Sequence, residues 1–214
     1  DVTILGACSA ETIIASSRNI TPAMNDEQIH DVVEATVTIE GPGKVSLIDI
    51  GISGQRMGIG VKDAPGPVTL SGVWLNANIG FGLTVHGAST VLSVSDFAIT
   101  NTRPSDMGEA GEGIVAFGGN IDFARGYVYR GHYIGIALAW HDTIVRAEDI
   151  IIQDVQPYTD ASPEYEGTFG QGMVIGAGAF FVGERILIDG CRTTGLSALG
   201  VQGNAPTLHL TDLI

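Results

Sequence analysis

A glycine followed by an apolar residue recurs along the chain and constrains its fold more than any other feature. The pairs begin at Gly60, Gly82, Gly113, Gly135, Gly172 and Gly195. Successive pairs are separated by 22, 31, 22, 37 and 23 residues, which is a period of 22 to 23 with two longer intervals. Self-similarity at such a period marks repeat architectures, so the sequence predicts a stack of similar units.

Each repeat contains short strand-like runs and no segment long enough for a helix. GFGLTVHG precedes STVLSVSDFAIT, IGIALAW precedes TIVRAEDIIIQD, and GMVIGAG precedes AFFVGERILID. Alternating runs rich in Val, Ile and Phe are typical of β-strands. A unit of two or three strands without a helix is one coil of a parallel β-helix, and it buries its inner face only when coils stack.

The repeat also resembles a known family. Its pattern is a glycine and two alternating apolar residues, then about ten residues, then an acidic residue before the next alternating pair. This resembles the right-handed parallel β-helix repeats of the pectate-lyase-like superfamily and extends from VTILGAC to LTDLI. The resemblance implies an all-β, right-handed parallel β-helix solenoid of about eight coils, as one domain over residues 1–214. It implies little about activity, because that superfamily includes lyases, hydrolases, adhesins and structural proteins.

Aligned repeats predict three columns of inward apolar side chains. The first strands supply Val61, Leu83, Ile114, Ile136, Met173 and Leu196. The second strands supply a column of Ile50, Val73, Phe97, Ile150, Ile186 and Leu213. Two residues further on, they supply a column of Ile52, Leu75, Ile99, Ile152 and Ile188.

Three insertions interrupt the repeats, at residues 14–35, 101–112 and 154–171. In the first, Thr21 is suited to cap a helix that has Pro22 at its first position, so we expect one short helix near the N-terminus. The final residues, LHLTDLI, stop within an apolar pattern. We therefore interpret the chain as a fragment of a longer one.

Charge restricts the partners of this chain. Ten basic residues against 24 acidic ones give a formal net charge of −14, which disfavours nucleic acid and anionic membranes. No apolar run reaches the ~18 residues of a membrane-spanning helix, so we expect no membrane insertion. Cys8 and Cys191 align at similar places about six coils apart, roughly 29 Å, so we expect two free, buried thiols.

The two later insertions predict a ligand groove. Both leave their repeats directly after the second strand, so they should rise from one edge and flank the stretch YVYRGHY at 127–133. Tyrosine, arginine and polar side chains around a groove suit sugar recognition. The candidate binding residues are Thr100, Arg130, His132, Tyr133, Gln153, Tyr158 and Tyr165. Both loops are acidic, with Asp106, Glu109 and Glu112 on one and Asp154, Asp160, Glu164 and Glu166 on the other.

The direction of Tyr127 and Tyr129 depends on how their repeat is aligned. Aligned by its apolar tail, the repeat places both rings inward and Arg130 outward, beside Thr100 and Gln153. Counted from the preceding glycine, it places Val128 inward and the tyrosines outward, because a shift of one residue exchanges the two faces. We expect the first alignment, since the second would direct Arg130 into the core.

Catalytic motifs are missing or scattered. The pair of adjacent aspartates typical of polygalacturonases is absent, and the ERI at 184–186 lies several coils from His86. A column of Asp49, Gly72, Asp96, Gly126, Asp149, Arg185 and Asp212 spaces its acids with glycine, which indicates relief of repulsion and not catalysis. We therefore expect no catalytic residues, no metal site and no cofactor, with calcium at the acidic loops as the alternative.

The sequence thus predicts a non-catalytic, secreted or cell-surface protein that is structural or binds carbohydrate. The alternative is a polysaccharide lyase or glycoside hydrolase that acts in the same groove, with Arg130 as the base of a lyase. An outward apolar stripe further predicts a covered surface, with self-association as the favoured cover. The stripe reads Gly51, Trp74, Ala98, Val128, Ile151, Leu187 and Ile214.

Overall fold

The computed structural model describes residues 1–16, 35–104, 111–157, 170–176, 178–200 and 204–214, with the backbone alone for Ser16 and His141. These residues form sixteen strands. In chain order they are β1 (Val2–Leu5), β2 (Ile13–Ser16), β3 (Ala35–Glu40), β4 (Val45–Ile48), β5 (Gly51–Gly54), β6 (Met57–Lys62), β7 (Val68–Ser71), β8 (Trp74–Asn76), β9 (Phe81–His86), β10 (Val91–Thr100), β11 (Glu112–Tyr129), β12 (Ile134–Gln153), β13 (Gln171–Gly176), β14 (Phe180–Asp189), β15 (Leu196–Leu199) and β16 (Thr207–Leu213).

The strands form one mostly parallel, curled sheet. Each strand pairs with its counterpart one repeat away: β11 lies between β10 and β12, and it also pairs with β9. The predicted all-β class is confirmed, since no described residue is helical. In the described part of the chain, no helix is long and apolar enough to cross a membrane.

The predicted helical insertion at 14–35 falls mostly on residues 17–34, which lie outside the described residues. Its predicted start is wrong, because Ile13–Ser16 form β2 and pair with β5. At the other end, Ala35 is the first residue of β3 and pairs with Met57.

The inward column predicted from the glycine repeat is confirmed from Leu83 onward. Backbone pairing aligns Leu83, Ile114, Ile136, Met173 and Leu196. All but the last are at most 2% exposed. The member predicted before Leu83 is wrong by two residues, because its partner is Ile59 and not Val61. Gly58, and not Gly60, is therefore the repeat glycine at this point.

The repeat glycines from Gly58 to Gly172 stand where neighbouring chain segments come too close for a side chain. A Cβ on Gly82 would lie 2.4 Å from Ile99 Cγ2 and 2.7 Å from the Gly113 carbonyl oxygen. One repeat on, a Cβ on Gly113 would lie 2.5 Å from both Val128 Cγ1 and the Gly135 carbonyl oxygen. Close packing of an inward branched side chain against Gly82, Gly113, Gly135 and Gly172 explains this part of the period in the sequence.

The last strand segment of each repeat corrects the alignment of the tyrosines. Its inward residues pair in the order Ile52, Leu75, Ile99, Val128, Ile152 and Ile188. Val128 is fully buried, whereas Tyr127 and Tyr129 are partly exposed on the opposite face. The predicted inward direction of the two tyrosines is therefore wrong, and so is the place of Val128 in the outer stripe, where Tyr127 pairs with Ala98 and Ile151.

Gly126 gives the physical reason for that shift. It lies in the inward column between Phe97 and Ile150, and a Cβ there would lie 2.1 Å from Phe97 Cζ. The Phe97 ring therefore fills the space of a missing side chain. Arg125, and not Gly126, takes the left-handed bend conformation, with φ of 52°. Elsewhere this predicted column is confirmed at Ile50, Val73, Phe97, Ile150 and Ile186, which are all buried, whereas Leu213 is 46% exposed.

The charged bend residues form a ladder in which the sign alternates from Asp96 onward, while Gly72 separates Asp49 from Asp96. All have φ between 52° and 56°, and they are Asp49, Asp96, Arg125, Asp149, Arg185 and Asp212. Arg125 Nε and Nη2 donate to the two carboxylate oxygens of Asp96 at 2.6 and 2.8 Å, and Arg185 Nε donates to Asp149 Oδ1 at 2.6 Å. These exposed pairs each stabilise the fold weakly. They replace the repulsion that stacked carboxylates would create.

A small apolar cluster lies apart from the main core and borders a buried carboxyl group. The cluster consists of Ala35, Met57, Phe81 and Val115. Glu112 begins β11, pairs with Phe81 and is 8% exposed, so its predicted place on an acidic loop is wrong. Among the described residues its carboxyl group has no hydrogen-bond or ion-pair partner, and burial raises the pKa of Glu112 to about 8.

The two cysteines are free, as predicted. The prediction that both are buried is wrong, because Cys8 is exposed in the turn after β1. Cys191 is partly buried, and burial raises the pKa of its thiol.

Candidate ligand-binding face

The outward side of the last strand segment carries two parallel rows of side chains. The first row is mainly apolar and aromatic, and pairing aligns Ile13, Gly51, Trp74, Ala98, Tyr127, Ile151 and Leu187. The second row lies two residues further along each strand and is mainly polar, with Ser53, Asn76, Thr100, Tyr129, Gln153 and Asp189. We call these two rows the paired-row face.

At one end of the face, a chain of hydrogen bonds joins Trp74 to the polar row. Trp74 Nε1 donates to Thr100 Oγ1 at 3.0 Å, and Thr100 Oγ1 donates to Asn76 Oδ1 at 2.9 Å. Asn101 Nδ2 donates to the same Asn76 oxygen at 3.0 Å. Because an indole nitrogen is only a donor, the hydroxyl proton of Thr100 must go to Asn76, and this fixes the orientation of the Asn76 amide.

The middle of the face is a stacked pair of tyrosines. The rings of Tyr127 and Tyr129 lie 5.6 Å apart between centroids, with 14° between their planes. The Tyr127 hydroxyl donates to Gln153 Oε1 at 3.1 Å, and Gln153 Nε2 donates to Asp189 Oδ2 at 3.2 Å. Burial, and then the neighbouring Tyr129 and Asp154, raise the pKa of Tyr127, so its hydroxyl stays a neutral donor.

Arg130 borders this pair but lies outside the two rows. Thr100 and Gln153 both pair with Tyr129, so the predicted place of Arg130 between them is wrong by one residue. Arg130 sits at the following bend with φ of 51°, where its Nε donates to Asp154 Oδ2 at 2.9 Å. Its guanidinium carbon lies 5.1 Å from the centroid of the Tyr129 ring, within cation–π range.

His132 and Tyr133 lie beyond that bend and not on the paired-row face. His132 pairs with Gln156 and is half-buried, and burial lowers its pKa while the Pro157 carbonyl partly offsets this effect. Tyr133 has φ of 75° at the turn that leads into β12. Such a conformation in a bulky residue is uncommon, so the surrounding turn must hold the Tyr133 backbone in place.

The described ends of the two loops share one position in their repeats. Arg103 pairs with Ile79 just before the first loop, and Gln156 pairs with His132 just before the second. The described chain therefore reaches the same position in both repeats, three residues after the last paired residues Thr100 and Gln153. Residues 105–110 and 158–169 lie outside the described residues. They include Tyr158 and Tyr165 and the loop carboxylates of Asp106, Glu109, Asp160, Glu164 and Glu166.

A small cleft opens beside Trp74 at the end of the face. Gly51 lies between Ile13 and Trp74 in the first row, where a Cβ would lie 2.2 Å from the Ser9 carbonyl oxygen. The cleft beside Gly51 has a volume of about 60 Å³. Its lining residues are Ile13, Gly51, Ile52, Ser53, Trp74 and Asn76, none of them charged.

The predicted binding residues include two members of this face, Thr100 and Gln153. The predicted outward stripe contains five members of the first row, which are Gly51, Trp74, Ala98, Ile151 and Leu187. The prediction missed Asn76, Tyr127, Tyr129 and Asp189. Counting from the repeat glycine would have placed the missed residues in the same rows. Among the residues with described side chains, no three from His, Cys, Asp and Glu are grouped as a metal site requires.

Comparisons of the chain with protein-family models, with curated proteins and with solved structures found no match.

Proposed function

We propose that this chain is a right-handed parallel β-helix solenoid of about eight coils, secreted or at the cell surface, that binds carbohydrate without catalysis. The fold part of the proposal is supported by parallel pairing between successive repeats, in which the same inward columns recur from Ile52 to Ile188. The resemblance of the glycine repeat to the pectate-lyase-like superfamily supports it further.

The binding part of the proposal is carried by the paired-row face. Aromatic and apolar side chains in one row can pack on sugar rings, while hydroxyls and amides in the next can read sugar hydroxyls. Strands lie ~4.8 Å apart, so a linear ligand lying across them would meet a new pair of side chains at that interval. This arrangement favours an extended glycan chain.

Charge favours a neutral glycan. The net charge is −14, and Arg130, the cation that borders the tyrosines, is already paired with Asp154 and lies over the Tyr129 ring. The two described rows contain no Lys or Arg, so a polyanionic chain lying on them would meet repulsion that no cation of the rows offsets. The same pairing makes Arg130 a poor base for a lyase, because an arginine beside a carboxylate retains its proton.

The test is glycan-array screening followed by calorimetric titration of the best neutral oligosaccharide. Tyr127→Ala and Gln153→Ala should each weaken binding by at least about tenfold, since each removes a contact at the centre of the face. Val91→Ala is the control, because Val91 is exposed at the start of β10, outside the two rows. Unchanged affinity in both face variants, or no glycan bound at all, would contradict the proposal.

Self-association through the first row is a separate proposal for the other end of the face. Ile151 is 39% exposed and lies between Tyr127 and Leu187 in that row. A regular apolar stripe can match a second copy of itself. Replacing Ile151 and Leu187 together with Glu should reduce the mass measured by light scattering. A wild-type monomer with the same mass as the variant would contradict this proposal.

A further inference from the structure

We propose that the cleft beside Trp74 is a subsite for an acetamido group, so that the ligand is a neutral glycan containing N-acetylated amino sugars. This inference rests on the proposed carbohydrate-binding function and names its substrate class. Four properties of the cleft support it: size, hydrogen-bonding capacity, an apolar wall and charge.

The size of the cleft suits a substituent and not a whole sugar. Its volume is about 60 Å³. Sites that enclose an entire small ligand have volumes of about 300 Å³ or more. The sugar ring must therefore lie outside the cleft, against the first row of the paired-row face. Only an exocyclic group of a few atoms would enter the cleft beside Trp74.

The hydrogen-bonding capacity of the cleft calls for an acceptor in the ligand. The Asn76 carbonyl oxygen is already occupied by Thr100 and Asn101. Its amide nitrogen makes no hydrogen bond to the described residues, and neither does the Ser53 hydroxyl beside it. Asn76 therefore offers two N–H donors, and a carbonyl oxygen is the complementary group.

The remaining walls suit a methyl group next to that carbonyl. Ile13 is 50% exposed, and together with the Trp74 indole it gives the cleft an apolar side. Burying a methyl group against such a wall is favourable. A hydroxymethyl group would leave this wall in contact with water, whereas an acetamido group covers it.

Charge distinguishes acetamido from carboxylate groups. No cationic side chain lines the cleft. A uronic acid carboxylate entering it would lose water without gaining an ionic partner, which is costly. An acetamido group presents the same kind of acceptor oxygen with no charge.

Trp74 gives a direct readout, because the chain has only two tryptophans. Trp140 is 52% exposed and packs on Phe117, away from the cleft. In a Trp140→Phe background, fluorescence therefore reports on Trp74 alone. Titration with the β-1,4-linked N-acetylglucosamine trimer should change the emission, with affinity at least about tenfold higher than for cellotriose, which carries hydroxyls in place of acetamido groups.

Asn76→Asp tests the donor role. The variant keeps the acceptor for Thr100 and Asn101 but loses both N–H donors. We expect about tenfold weaker binding of the N-acetylglucosamine trimer and little change for cellotriose. Asn120→Asp is the control, because Asn120 is exposed near the middle of β11, outside the two rows. Among the described residues, its side-chain oxygen accepts a hydrogen bond only from Arg146.

Equal affinity for the two trimers, or full binding by Asn76→Asp, would overturn the acetamido subsite while leaving the proposed glycan binding intact. An N-acetylglucosamine trimer that binds without changing Trp74 emission would place the ligand elsewhere and also overturn it. Failure of every oligosaccharide to bind would overturn the proposed function, and the subsite with it.

Discussion

Replacement of Glu112 by Gln should make the protein more stable, and only at neutral to alkaline pH. Glu112 is 8% exposed beside an apolar cluster, and burial raises its pKa to about 8 from the usual 4.5. Gln keeps the shape of the protonated acid but cannot ionise. The two proteins should therefore be alike in acid and diverge as the pH rises.

The size and direction of the effect follow from proton linkage. Between pH 4.5 and about 8 the unfolded chain has lost this proton while the folded chain retains it, so the free energy of unfolding falls as pH rises through that window. Each pKa unit is worth about 1.4 kcal/mol, which gives a total loss of up to roughly 5 kcal/mol. Local opening that hydrates the carboxylate would reduce the loss, so this figure is an upper bound.

Urea unfolding from about pH 5 to pH 9 measures the difference directly. Glu112→Gln should flatten the decline in stability seen in the wild type. Glu40→Gln is the matched control, because Glu40 is exposed at the end of β3 and its removal should leave the slope unchanged. Parallel wild-type and Glu112→Gln curves across this range would refute the reasoning.

Three further predictions test the packing. Val128→Asp should destabilise the protein by at least about 3 kcal/mol by burying an unpaired charge, whereas Tyr127→Asp should stay folded; equal thermal melts would contradict the register. Gly113→Ala should cost about 1 to 3 kcal/mol, while Gly195→Ala, whose Cβ would lie 3.6 Å from its nearest neighbour, should melt nearly as the wild type does. Arg185→Gln should lower the melting temperature at low salt, because Glu148 and Glu184 then face each other without a cation; a shift of the same size at high salt would speak against this cause.

Most of the strand pairing could be predicted because it depends on a local rule repeated along the chain. Gly82, Gly113, Gly135 and Gly172 each accept a branched side chain from a neighbouring segment, so the position of the repeat glycine marks the start of an inward column. The rule failed at Gly126, which the alignment placed one residue too early, in the column of the bend residues Asp96 and Asp149. Gly126 seemed suited to the left-handed bend, but its lack of a side chain accommodates Phe97, and Arg125 takes the bend through its pairing with Asp96.

That one-residue error also explains what was missed in the candidate site. With Val128 wrongly placed outside, Tyr127 and Tyr129 were assigned to the core and not to the surface. The prediction therefore omitted Tyr129, which pairs with both Thr100 and Gln153 in the second row. Glu112 was misplaced for another reason. Glu112 follows the stretch MGEAG, whose glycine and glutamate content is typical of a loop. Nothing in the local sequence indicates that a strand begins at Glu112.

The alternating charges at the bends have a consequence for how repeats could be gained or lost. Arg125 stands between Asp96 and Asp149, so excision of its repeat would bring two aspartates into contact and leave both without their shared neighbour. Removal of two adjacent repeats would keep the signs alternating. The chain therefore has a structural period of one repeat but an electrostatic period of two, and changes in length by pairs should be tolerated better than changes by one.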